Sequence, residues 1–163
     1  MKTPAEFARS LAGTVARYLS EVAAPGEHLS LLRWQIEQGH RLDLRTTYPG
    51  HVTTSAIVLS PDHRQTLLID HITIGRWLQP GGHADGVEDL ARVALTEAEE
   101  ESGLADLMVE GGIFDLDRHA IPARGGDPEH WHYDVRFVAR ATATASACDA
   151  PRKNSTSASS GTG

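Results

Sequence analysis

The 163-residue chain has one cysteine, Cys148, so no intrachain disulfide can form and a reducing compartment is the expectation. It lacks any apolar run near the roughly 20 residues a membrane-spanning helix needs. Glu6, Arg9, Arg17 and Glu21 interrupt the N-terminal segment, where a secretory leader would be continuously apolar. The expected address is the cytoplasm, with no membrane partner. Positive charge is also scarce: 15 Lys and Arg face 22 Asp and Glu, for a net charge of −7. Binding a nucleic-acid polymer depends on clustered cations, so that class of partner is disfavoured. A small phosphorylated ligand whose charge is neutralised by metal ions is not. There is no internal repeat, and the length suits one domain with a real core.

Negative charge, by contrast, is concentrated where a helix tolerates it least. Glu97, Glu99, Glu100 and Glu101 fall in the last turn of a predicted helix that Gly103 is suited to end. The C-terminal end of a helix carries about half a negative charge, so carboxylates there are unfavourable. Glu97 also repels Glu100 and Glu101 at i+3 and i+4. At an effective dielectric near 20, two such charges about 4 Å apart repel by roughly 4 kcal/mol. A divalent cation among them reverses the sign, and the cluster therefore reads as a metal site. Leu90, Ala91, Ala94, Leu95 and Ala98 form the expected buried stripe, with the glutamates on a different part of the surface. Upstream lies the glycine loop Gln79-Pro80-Gly81-Gly82-His83.

Gly82, five residues, Glu88, seven residues and then Thr96-Glu97-Ala98-Glu99-Glu100-Glu101-Ser102-Gly103-Leu104 closely resembles the Nudix box. The family pattern has Gly, Glu and then Arg-Glu-aliphatic-any-Glu-Glu-any-Gly-aliphatic at these spacings. Every fixed position matches except Thr96, which stands where the family has arginine. Further segments resemble a bacterial Nudix branch: His51–Ala56, Arg76–His83 with its Trp-Leu-Gln-Pro-Gly-Gly-His run, Phe114–Arg124 and His130–Phe137. The resemblance runs from about Arg45 to Arg140.

It implies an α+β fold, a Nudix-type α/β/α sandwich with a mixed β-sheet, here preceded by two N-terminal helices. It also implies a hydrolase that cleaves a diphosphate bond in a nucleoside diphosphate linked to another moiety. Glu97, Glu100, Glu101 and the Gly82 carbonyl would hold Mg²⁺ or Mn²⁺, and Glu88 would be structural. Mg²⁺ favours hard oxygen ligands and shares its coordination sphere with water and substrate phosphates. The implied base is a box glutamate, Glu100 first, or a loop carboxylate such as Asp127 or Glu129. Thr96 lacks the charge and the five donors of arginine. Arg92, one turn upstream, is the candidate replacement; without one, the glutamates are held less firmly and activity is reduced. The alternatives are a catalytically weak Nudix-type nucleotide-binding or regulatory module, and an isopentenyl-diphosphate isomerase, for which Cys148 is poorly placed.

Other side chains have two readings each. His83, His119 and Arg124 are candidates for substrate contact, as are Asp127 and Glu129, which equally suit a solvated Gly/Pro loop. His130 and His132 share a face of a strand and could converge with His83 and His119 on a transition metal, or simply bond to backbone. Arg118 and Arg136 are phosphate-binding or salt-bridge residues. Trp77 and Trp131 would stack a base or, more commonly for tryptophans beside such a box, lie in the core.

Three regions follow from the patterning. Residues 1–44 form a helical segment: one helix with Phe7, Leu11, Val15, Tyr18, Leu19 and Val22 on a stripe, then another over Glu27–Gln38. It packs on the core or pairs with another subunit, which keeps a homodimer among the expected partners. Residues 45–141 form the catalytic domain, with strands at Val52–Leu59, Gln65–Ile72, Arg76–Gln79, Leu107–Asp117 and His132–Ala141. Residues 142–163 lose apolar periodicity and read as a disordered or aberrant tail. A reading-frame slip that removed the natural end is the expectation there.

Overall fold

The computed structural model describes residues 4–21, 27–72 and 74–142. Val22 and Cys148, and all but the first residue of the expected tail, lie outside them. The class is α+β with a mixed sheet.

Two helices precede the sheet. Helix α1 spans Pro4–Glu21, and Leu11, Val15 and Leu19 of the expected stripe are buried. A single 3-10 turn at Glu27–Leu29 leads into α2, Ser30–Glu37. Leu29 and Leu32 join the α1 residues in the same core as Val52, Tyr133 and Val135 of the sheet.

The main sheet has four strands in the order β4-β1-β6-β5. Strand β1 is Gly50–Leu59, β4 Gly81–His83, β5 Met108–Ile121 and β6 His130–Arg140. β1 runs parallel to β6, with His51 opposite His132 and Thr53 opposite Asp134. The other pairings, β1 with β4 and β5 with β6, are antiparallel. A register shift in β5 between Glu110 and Asp115 contains Gly111, whose φ of 82° is the left-handed conformation a bulge of this kind uses. Side chains alternate across a strand. The even positions of β1, Val52, Thr54, Ala56 and Val58, are all buried. Thr54 lies on the side of α3, Leu90–Ser102, its hydroxyl 3.2 Å from the Leu90 carbonyl. Odd positions of β1 and even positions of β6 make the opposite face, which is polar around His51, Thr53, Ser55, His132 and Asp134.

Two expected elements differ. The strand foreseen over Gln65–Ile72 is only β2, Ile69–His71, with an isolated bridge from Thr66 to Leu59. It pairs with β3, Arg76–Leu78, in a separate two-stranded sheet. The turn at Ser60-Pro61-Asp62 occupies the intervening chain: the Ser60 hydroxyl donates to Asp62, and their oxygens accept from Arg64 and Gln65. The second difference is Gly81–His83, expected as loop, which is the edge strand of the main sheet.

Candidate active site and histidine cluster

The acidic helix sits directly on β4. Asp89 caps the start of α3, its carboxylate accepting from the Arg92 backbone N–H at 3.0 Å. Gly103 ends the helix with φ 73°, donating to the Glu99 carbonyl at 2.8 Å. Between these ends the four glutamates diverge. Glu101 is only 8% exposed, and its Oε2 accepts from the Gly81 N–H at 3.1 Å. Glu101 therefore lies on the buried side with Leu90, Ala94 and Ala98, a correction to the expectation that the acids occupy another surface. Position 101 follows 94 and 98 at helical spacing, so the bond to Gly81 is what lets a carboxylate end the stripe. Glu97 is half-buried against Gly82: a Cβ added there would stand 2.6 Å from the Glu97 Cδ and Oε1. Glu100 is exposed. Glu99 turns away and accepts from the Leu107 N–H at 3.1 Å, pinning the chain that leaves the helix.

Thr96 is exposed. Arg45 is ion-paired with Asp85, which does most to raise its pKa, and Glu97 and Asp127 add to that rise. Arg45 thus brings positive charge toward Glu97 from outside the helix. It comes from the segment before β1, 51 positions before Thr96, a distance that helical periodicity cannot bridge. Glu88 is half-buried in the loop before α3.

On the other side of β4 the sheet gathers histidines. Gly82 faces Glu97, so the next residue, His83, points to the opposite face. There the ligand nitrogens of His51, His83 and His132 all lie within 4.8 Å of one another. The His51 ring stacks on His130 at 5.0 Å and lies 4.8 Å from His132, and His83 meets His132 edge-on at 5.0 Å. His51 was not singled out in the sequence; its pairing with His132 depends on a parallel register between segments 81 residues apart. Burial is the main cause lowering all three imidazoles, assisted at His51 by His130 and Arg45, at His83 by Arg45 and His51, and at His132 by His83 and His51. His83 falls to about 4, His132 to about 3, and His51 in the same direction. All three rings are therefore neutral at pH 7.

His119 does not join the three rings; its Nε2 is 3.1 Å from Arg136, which also pairs with Asp115 at 2.7 Å and Asp134 at 3.1 Å. Asp134 accepts from Ser55 at 2.8 Å and Thr53 at 3.3 Å, completing a charged strip next to His132. Arg124 and Asp127 bridge each other in the exposed turn between β5 and β6, where Glu129 is also exposed. Tyr48 donates to Asp127 at 3.2 Å, which ties that turn to the segment before β1. Trp77 is not core: it is 66% exposed on β3, whose small sheet leaves it uncovered. Trp131 is half-buried with the Arg118 guanidinium 4.1 Å from its ring centre.

No protein-family model matches the chain, and no curated protein matches it. Among solved structures it is similar to the Ap4A hydrolase of C. elegans, with 18% identity and a TM-score of 0.41 over 55% of this chain and 67% of that one. It is also similar to the MutT protein of Bacillus halodurans, with 25% identity and a TM-score of 0.36 over 56% of this chain and 55% of that one. Likeness at that level leaves the chemistry to be read from the residues themselves. No helix among the described residues is long and apolar enough to cross a membrane.

Proposed function

We propose that the chain is a Mg²⁺-dependent hydrolase of Nudix type, cleaving a diphosphate bond in a nucleoside diphosphate linked to another moiety. The observation that carries this reading is the seating of the acidic helix on two glycines. Glu101 accepts from the Gly81 N–H, and Glu97 fills the space a Cβ at Gly82 would take. The donors are hard carboxylate and carbonyl oxygens, the set that suits Mg²⁺ or Mn²⁺. Glu97, Glu100, Glu101 and the Gly82 carbonyl would hold the ions, which when bound offset phosphate charge and lower the pKa of an attacking water.

The protein's own residues have distinct duties in this scheme. The Gly81 N–H fixes the Glu101 carboxylate, so its orientation does not have to be found during the reaction. Gly82 lets the main chain approach the acids with no side chain intervening. Arg45 supplies positive potential at Glu97 in place of the family's arginine. Glu100, the exposed member, is the first choice to accept the proton of the attacking water, with Asp127 and Glu129 as alternatives on the β5–β6 turn.

A catalytically weak or silent nucleotide-binding module is the second reading, favoured by threonine at position 96. Hydrolysis screening with Mg²⁺ over nucleoside triphosphates, nucleotide sugars and dinucleoside polyphosphates separates the two. Turnover that disappears in Glu100→Gln and Glu101→Gln supports the enzyme. Turnover that survives both substitutions refutes the mechanism. Nucleotide binding without any turnover selects the module.

A further inference from the structure

We propose that His51, His83 and His132 form a second cation site that takes Zn²⁺ or a similar divalent transition metal. It lies on the opposite face of the sheet from the carboxylates, and it stands independently of the hydrolase reading.

Three strands converge on the cluster. β1 supplies His51, β6 supplies His132 directly opposite it, and β4 supplies His83 opposite Thr53, two residues along β1 on the same face. The ligand nitrogens lie within 4.8 Å of one another. Around Zn²⁺ with bonds near 2.0–2.1 Å, neighbouring nitrogens of a tetrahedron stand about 3.3 Å apart, so the three must draw together by up to about 1.5 Å as the ion binds.

The hydrogen bonds already choose the tautomers. A metal-binding histidine characteristically donates its other ring N–H to a carbonyl or similar acceptor, which turns the free lone pair inward. His51 Nδ1 lies 3.2 Å from the Thr47 carbonyl and can only donate to it, leaving Nε2 as the lone-pair nitrogen. That Nε2 is buried and has no hydrogen-bond partner, on a residue only 1% exposed. A buried polar nitrogen without a partner calls for a ligand. His130 repeats the pattern: its Nδ1 donates to the Pro128 carbonyl at 2.8 Å, so in the neutral ring its Nε2 is an acceptor. It sits 3.3 Å from His132 Nε2, which must therefore be the donor, and Nδ1 of His132 is left for the metal. His130 is thus a positioning residue, linking His132 to the backbone at Pro128.

The donor set defines the class of ion. Imidazoles suit Zn²⁺, Co²⁺, Ni²⁺ and Fe²⁺ and serve Mg²⁺ poorly, whereas the carboxylates on the other face have the reverse preference. Burial favours the neutral, ligating form of each ring over the protonated one. Three protein ligands leave a tetrahedral ion one open position, the arrangement of a site that binds water or substrate.

The test uses the full chain without a histidine tag, stripped by chelator and titrated calorimetrically with Zn²⁺ alone in excess Mg²⁺. One Zn²⁺ per chain is expected, undisturbed by Mg²⁺. Co²⁺ should give the intense visible bands of four-coordinate geometry. His83→Gln and His132→Gln, checked for folding by circular dichroism, should each weaken Zn²⁺ by at least about 100-fold, the upper end of what loss of an outer-sphere partner costs. Glu97→Gln should leave Zn²⁺ binding unchanged. Zn²⁺ bound as tightly by folded histidine variants, or lost in Glu97→Gln, overturns the proposal. Ring ¹⁵N spectra of the unsubstituted chain decide the matter whether or not the variants fold. Zn²⁺ should shift one nitrogen each of His51, His83 and His132, and unshifted signals would rule the site out.

Discussion

Adding one methyl group at Gly82 should separate what the glycine does for function from what it does for folding. A Cβ there stands 2.6 Å from the Glu97 Cδ and Oε1 and 3.0 Å from its Cγ. Those atoms belong to the mobile end of a side chain, so Gly82→Ala is accommodated when the carboxylate swings aside. The alanine also loses less chain entropy on folding, worth roughly 0.5–1 kcal/mol, which offsets the rearrangement. Stability in urea should therefore change by less than about 1 kcal/mol. Mg²⁺-dependent turnover should fall by at least about 100-fold, or about 2.7 kcal/mol in barrier, because a displaced Glu97 would no longer share the proposed ion with its neighbours. Gly81→Ala is the contrasting control. Its Cβ would collide with the Thr54 carbonyl and come within 2.8 Å of Ser55 Cβ and 2.9 Å of Ser55 Cα, which belong to the β1 main chain and its root. That overpacking should cost about 1–3 kcal/mol of stability. Equilibrium unfolding, Mg²⁺ titration and initial rates on both variants provide the comparison. A Gly82→Ala chain with full turnover and normal Mg²⁺ affinity would refute the placement of Glu97 as a ligand.

Thr96→Arg should raise turnover by supplying the cation that the helix lacks at that position, and an unchanged or lower initial rate would count against it. Tyr133→Phe should destabilise the fold by about 1–3 kcal/mol in urea, since the Tyr133 hydroxyl donates at 2.5 Å to the buried Gln35 Oε1, which would be left without it. The metal-free chain should be acid-labile. His83 and His132 titrate in the folded state at about 4 and about 3, below the 6.5 of an open chain, so the unfolded state takes protons first as pH falls. Stability is full above about pH 6.5 and declines toward pH 4 and below; by pH 5 the pair should cost about 3 kcal/mol after allowance for partial solvation, read from urea midpoints, and a flat profile between pH 7 and 5 would contradict it.

Much of this was legible in the residue order. The stripe of α1, the strand-like runs at Val52–Leu59 and His132–Ala141, and the glycine stop of α3 are local patterns, and β1, β6 and α3 follow them closely. The run of glutamates stands out in the sequence because it violates helix electrostatics, but where each one points does not: Glu99 turns to Leu107, Glu101 to Gly81, and Glu100 to solvent. What escaped depends on contacts between distant segments. Gly81-Gly82-His83 has no strand-forming side chains in its first two positions, and it becomes a strand only because β1 offers an edge. His51 looks like one residue in a threonine-rich strand until β6 sets His132 beside it. Trp77 shows the converse failure: a large apolar residue is expected inside, but β3 belongs to a two-stranded sheet with too little surface to bury it.

β4 is three residues long, yet it forms a party wall between two chambers. Because neighbouring positions on such a wall open into opposite rooms, inserting or deleting one amino acid between Gln79 and Ala84 would transpose its tenants. The imidazole would be thrust at the carboxylates and a bare glycine would be offered to the other rings. Both faces would be rearranged together, so a register-shifted edge would not be restored by repairing either one alone.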